Sequence, residues 1–176
     1  MDVFSRTFHR AAESTGSAPA VNRHLPIFRS CVDPDDPAVL VARCVRPGAP
    51  LSGDWFLLLT RRRMVVTQDT RPLHRLRLHL NANLRKLSDV TWGLDLSRPG
   101  LELSVTAMDG VRERFRMRLG DSATVWRVEA LVRESLCAQE VRNRSLEAGR
   151  VQPVHAGVVA PGPVPSHLGP AGAQMQ

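Results

Sequence analysis

LELSVTAMDGVRERFRMRL, residues 101–119, decides the fold class of this chain. Leu101, Leu103, Val105 and Ala107 alternate with polar or larger residues up to an Asp109-Gly110 turn. Val111, Phe115, Met117 and Leu119 then alternate with Arg112, Arg114, Arg116 and Arg118. Period-two alternation on both sides of a glycine turn reads as a β-hairpin with one apolar face. A two-residue Asp109-Gly110 loop would set the apolar positions of one strand against the arginines of the other. A three-residue Met108-Asp109-Gly110 loop instead pairs Ala107 with Val111, Val105 with Glu113, Leu103 with Phe115 and Leu101 with Met117. It places Gly110 at the left-handed position and keeps the apolar face on one side, apart from Glu113. Glu102 then stands across from Arg116.

Working outward, the hairpin is followed by an amphipathic helix. Asp121 or Ser122 can cap it, Val125, Val128, Leu131, Val132, Ser135 and Leu136 form its apolar stripe, and Glu129 with Arg133 make an i,i+4 pair. It continues weakly through Glu140 and Arg144. Upstream, strands are read at Val39–Val45, Asp54–Thr60, Met64–Gln68, His74–Leu80 and Leu87–Leu96, giving seven in all. In the fourth, Leu76, Leu78 and Leu80 alternate with Arg75, Arg77 and His79 and are expected on the apolar face. Asp54–Thr60 is apolar on both faces, as in a strand near the middle of a sheet. Asn81-Ala82-Asn83 is read as a strand break. Residues 1–14 put Phe4, Phe8, Ala11 and Ala12 at helical spacing, and Ser14–Asn22 reads as a linker. Leu25–Val32 is a short apolar piece ended by the Asp33–Pro37 turn cluster. After Arg150 there is no charged residue, and the Pro/Gly/Ala-rich tail is expected to be disordered.

Seven antiparallel strands closed by one C-terminal amphipathic helix is a mainly β (α+β) fold. The chain resembles the pleckstrin-homology superfold, in particular its GRAM and bacterial PH-like branches. The residues that carry the resemblance are Gly53-Asp54-Trp55-Phe56-Leu57-Leu58-Leu59-Thr60, Arg63-Met64-Val65-Val66-Thr67, Leu87-Ser88-Asp89-Val90-Thr91, Leu101-Glu102-Leu103 and Gly110 leading to Phe115. Trp126 is similar to the helix tryptophan common in that superfold. The resemblance implies a seven-stranded sandwich or barrel capped by the helix, over residues 38–140. An extension with a possible short helix and linker (1–22) and a connecting segment (23–37) precede it, and the helix end and tail (141–176) follow. Trp55, Trp92 and Trp126 are all expected in the core.

Composition narrows the function. The chain has 176 residues, a net charge of +7, and 24 basic residues of which Lys86 is the sole lysine. That arginine excess, with no tyrosine, fits a GC-rich bacterial coding bias and weakens the charge as evidence for nucleic acid. Cys31, Cys44 and Cys137 form no metal-spaced pair, and free thiols suit a reducing cytoplasm. No apolar run reaches the ~18 residues of a membrane span. The six histidines stand at no metal-ligand spacing, and no nucleophile elbow, phosphate loop or dinucleotide fingerprint occurs. An enzyme is not expected, and no cofactor or metal is implied.

Binding is therefore the function class. Arg112, Arg114, Arg116 and Arg118 project from one strand face at ~6.6–6.8 Å intervals, and guanidinium rows bind carboxylates or phosphates bidentately. Arg61, Arg62 and Arg63, with Arg75 and Arg77, form a second candidate cluster, expected on a different sheet. Basic residues on the first strands grip inositol phosphates in many pleckstrin-homology domains. Of that lysine…Arg-x-Arg pattern, Arg75-Leu76-Arg77 supplies only the second half here. The leading expectation is an adaptor that engages a protein partner through a sheet edge or the groove beside the helix. The alternative is a peripheral membrane module reading anionic head groups through its arginines, aided by Phe4 and Phe8. Nucleic-acid binding ranks third, because aromatic residues are not interleaved with the basic ones. Oligomeric state is open.

Overall fold

The computed structural model of the chain describes residues 2–48, 53–70 and 75–148. Seven strands form: β1 (Ala38–Val45), β2 (Asp54–Thr60), β3 (Arg63–Thr70), β4 (Arg75–Asn83), β5 (Ser88–Asp95), β6 (Gly100–Thr106) and β7 (Arg112–Arg118). They join one antiparallel sheet in the order β4-β3-β2-β1-β7-β6-β5. The two edge strands β4 and β5 are consecutive in the chain, linked by a 3₁₀ turn at Leu84–Lys86. Helix α4 (Ser122–Ala148) packs against β1, β5, β6 and that turn. Seven antiparallel strands and a closing C-terminal helix are the fold class expected from the sequence.

The 101–119 hairpin has the three-residue loop. Leu101 pairs with Met117, Leu103 with Phe115 and Val105 with Glu113. Ala107 N–H donates to Val111 O at 3.0 Å, and Gly110 sits at φ 78°. One apolar face results, and Leu101, Leu103, Val105, Phe115 and Met117 are all fully buried. They meet Leu57, Leu59, Met64 and Val66 from the other half of the sheet, and Val125, Val128, Val132 and Leu136 from α4, in one inner core. Asp121 caps α4 by accepting from Thr124 N–H at 2.8 Å. Asn81-Ala82-Asn83 does not break β4, because it pairs with Arg63, Met64 and Val65 of β3. His74 lies outside the described residues, as does the tail.

Residues 3–31 form a second layer. Helices α1 (Val3–Glu13), α2 (Ala18–Val21) and α3 (Leu25–Cys31) lie on the outer face of β1–β3. Phe4, Phe8, Ala12, Val21 and Phe28 pack there against Val41, Phe56, Leu58 and Val65. This second core is why β2 is apolar on both faces. The stretch read as a linker contains α2, and the apolar piece from Leu25 is α3. Buried polar ties fasten the layer. Thr15 Oγ1 donates to Val41 O, His24 Nδ1 lies 2.8 Å from Thr67 Oγ1, and Thr60 Oγ1 donates to Asp36 Oδ2 at 2.6 Å. Burial pushes the His24 pKa down and that of Asp36 up. Gly53 is required where it stands: at φ 107°, an added Cβ would lie 1.9 Å from Asp69 O.

Two aromatic and aliphatic expectations are corrected. Trp55 is in the core and Trp92 is half-buried against it, but Trp126 is 54% exposed on the outer side of α4. A β-bulge between Val66 and Thr67 shifts the β4 register, so Leu78 turns outward at 47% exposure. His79 turns inward instead, in edge contact with Trp55 and Phe115.

Candidate functional site

Beyond the helical layer no described residue covers the outer face of β5, β6 and β7. On β5, β6 and β7 the outward positions align in rows across the strands, because directly paired residues share a face. One row is Arg118, Gly100 and Asp95; the next is Arg116, Glu102 and Gly93; a third is Arg114, Ser104 and Thr91. Val45 of β1 extends the middle row. The four arginines of β7 thus share one exposed face. A shallow groove of about 620 Å³ lies over it, lined by Arg112, Arg114, Arg116, Glu102, Asp95 and Thr91 among others.

The arginines do not stand alone. Glu102 is in register with Arg116, yet its carboxylate pairs diagonally with Arg114 at 2.5 Å. Arg116 pairs instead with Asp95, also at 2.5 Å, and Arg112 donates to Thr91 Oγ1. Asp95 is held down to a pKa of about 2 by the Ser97 hydroxyl, the Arg98 backbone N–H and Arg116. Among the described residues Arg118 forms no ion pair. The face therefore offers guanidinium groups interleaved with fixed carboxylates. Asp95, at the end of β5, is the member that sequence reasoning missed. Its signal is the Asp95-Leu96-Ser97-Arg98 turn, where its Oδ1 accepts from Ser97 N–H and Arg98 N–H.

The second arginine group is not one cluster. Arg63 pairs with Asn83, whereas Arg75 and Arg77 pair with Thr70 and Gln68. That places them about 17–24 Å apart along the β3–β4 ladder. Arg62, in the β2–β3 turn beside Arg61, is matched by Asp35 at 3.1 Å and Asp33 at 3.6 Å. Arg63 donates to Asn81 Oδ1. Both arginine groups belong to one hydrogen-bonded sheet, at different parts of it, and they do not merge into one patch.

Glu113, the charged exception on the apolar side of the hairpin, is 7% exposed and lies 3.1 Å from Arg46 and 3.2 Å from His79 Nε2. Arg46, just after β1, and His79 of β4 thus meet a carboxylate of β7 on the inner side of the sheet. Phe4 and Phe8 are 2% and 0% exposed, so the N-terminal helix has no aromatic residue free to enter a membrane. No helix is long and apolar enough to span one among the described residues. Nor do three His, Cys, Asp or Glu side chains converge on a metal position among them.

No family model matches the sequence, and no curated protein is significantly similar to it. Among solved structures, the DH/PH domains of PDZ-RhoGEF, in complex with GTP-γ-S-activated RhoA, align with 77% of this chain at 14% identity and a TM-score of 0.47. An allosterically inhibited Vav1 aligns with 74% at 9% identity and a TM-score of 0.39. The chain spans 41% and 36% of those two chains.

Proposed function

We propose that this protein is a non-enzymatic binding module of adaptor type and pleckstrin-homology-like architecture. It engages a protein partner through the bare outer face of β5, β6 and β7. One observation carries the reading. Among the described residues, helices cover the sheet over β1–β3 and nothing covers it over β5–β7, where the outward arginines of β7 share one face with Glu102 and Asp95. Arginines held in place by Glu102 and Asp95 suit a protein whose carboxylates stand at matching, fixed spacing better than a laterally mobile lipid surface. The burial of Phe4 and Phe8 removes the apolar anchor on which the membrane alternative drew. Three free thiols fit residence in a reducing cytoplasm.

Site-specific photo-crosslinking in cells tests the reading. Thr91→p-benzoylphenylalanine places the probe on the bare face, and Glu13→p-benzoylphenylalanine places it on the helical layer. A discrete protein adduct from position 91 and none from position 13 is the expected outcome. Adducts from position 13 alone contradict it. So does binding of the full chain to anionic vesicles that is lost in Arg112/Arg114/Arg116/Arg118→Ser, with no protein adduct at 91.

A further inference from the structure

The groove over β5–β7 continues past its own strands. A second depression is lined by Val45, Arg98, Pro99, Glu102, Arg116, Arg118 and Leu119, and so shares Glu102 and Arg116 with the first. A third, of about 650 Å³, lies between the sheet and the foot of the helical layer. It shares Val45, Arg118 and Leu119 with the second and reaches Arg43, Asp54, Ala20 and the Gly16-Ser17 turn. The three join into one trench running across the strands, from the β5 edge to the wall made by the α1–α2 turn and α2. Its floor crosses β5, β6, β7, β1 and β2, four inter-strand steps of ~4.8 Å or about 19 Å.

From this trench we infer the chemistry of the partner: an extended acidic segment of polypeptide, lying across the strands with one end against the α1–α2 turn. The inference rests on the protein-binding reading above and deepens it. Charge complementarity selects the occupant. Six arginines, Arg112, Arg114, Arg116, Arg118, Arg98 and Arg43, line the trench, against three carboxylates, Glu102, Asp95 and Asp54. Glu102, Asp95 and Asp54 are engaged by Arg114, Arg116 and Arg43. Arg98, Arg112 and Arg118 are left without an ion pair among the described residues, spread along the trench. A floor of about 19 Å holds roughly six residues of extended chain, whose alternate side chains point down. Shape opposes a flat bilayer, because the α1–α2 turn and α2 flank the floor at one end. Nucleic acid lacks a stacking platform here. Phe56 is covered by the helical layer, and Trp92 is half-buried with its indole N–H donated to Glu129.

The test is fluorescence anisotropy of the full chain with a fluorescein-labelled glutamate/glycine peptide of about ten residues. A glutamine/glycine peptide, a short single-stranded DNA and phosphatidylserine-containing vesicles run in parallel. The acidic peptide is expected to bind and the neutral one not, with affinity falling steeply as salt rises from about 50 to about 300 mM. Arg98→Ser/Arg118→Ser should weaken it by about tenfold, as loss of charge-assisted contacts does. Ala20→Glu, which sets a carboxylate at the foot of the wall, should also weaken it, while Arg6→Ser/Arg10→Ser should not. Unchanged affinity in Ala20→Glu overturns the trench and leaves the bare face as the binding surface. Unchanged affinity in Arg112/Arg114/Arg116→Ser, together with a surviving position-91 adduct in that variant, overturns the face itself. Equal or tighter binding of DNA or vesicles overturns the acidic-peptide assignment.

Discussion

Strands β2 and β7 belong to one sheet, yet their outer faces have opposite chemistry. The outward residues of β2, Phe56 and Leu58, are buried beneath α1–α3, while those of β7 are arginines in water. Inward, both strands supply the same core. Between β2 and β7 the outward positions are apolar where helices cover them and charged where they do not, so each strand reports on its neighbour layer. Covered, the sheet is structural on both sides. Uncovered by any described residue, it is the surface proposed to bind.

The contrast can be broken most severely by removing the cover. Deleting residues 1–31 exposes Val41, Phe56, Leu58 and Val65 together, and the remainder is expected to aggregate in place of folding as a monomer. Size-exclusion chromatography with circular dichroism checks this, and a folded monomeric fragment would count against a structural role for the helices. Phe8→Ala, a single large-to-small change in the same layer, should cost about 3–5 kcal/mol in denaturant unfolding. Glu113→Gln removes the internal carboxylate from Arg46 and His79. Because Arg46 is 37% exposed and can turn to water, about 1–2 kcal/mol is expected by the same measurement.

His24 sharpens the comparison through pH. Its folded pKa lies below the ordinary 6.5, so the unfolded chain takes up the proton more readily. The stability that neutral His24 contributes is complete above 6.5 and declines as pH falls below it. Asp36, with a raised pKa, acts in the opposite sense as pH rises from 3.8. The slope should therefore be compared between wild type and His24→Gln, with the variant flatter just below 6.5. The smallest expected effect is on the bare half. Arg112, Arg114, Arg116 and Arg118→Ser should each change stability by no more than about 0.5 kcal/mol, because exposed ion pairs contribute little.

How legible these halves were depends on what each residue answers to. The arginine alternation of β7 and the hairpin register could be read directly, because one wet face imposes a strict period of two. The double apolar face of β2 was also legible, but its cover was not. Phe4, Phe8, Ala11 and Ala12 show the 11-residue α1 but not what it covers. Helices α2 and α3, of 4 and 7 residues, carry little periodicity, and Phe28 alone marks α3 as buried. Leu78 and His79 exchanged roles because a bulge adds one residue, which a period-two reading does not register. Trp126 follows Val125 by one position, some 100° around the helix, and that rotation takes it off the buried stripe. The ion pairs of the bare face run diagonally, so pairing straight across the strands named Arg116 where Glu102 binds Arg114.

The most direct test of the divided sheet compares two sets of exposed arginines on opposite halves. The position-91 crosslink is measured in the wild-type background, in Arg112/Arg114/Arg116/Arg118→Ser and in Arg6/Arg10→Ser, with melting temperatures recorded for each. The partner adduct is expected to disappear only in the β7 variant, at an unchanged melting temperature. Loss of the adduct in the α1 variant, or its persistence in the β7 variant, would contradict the divided sheet.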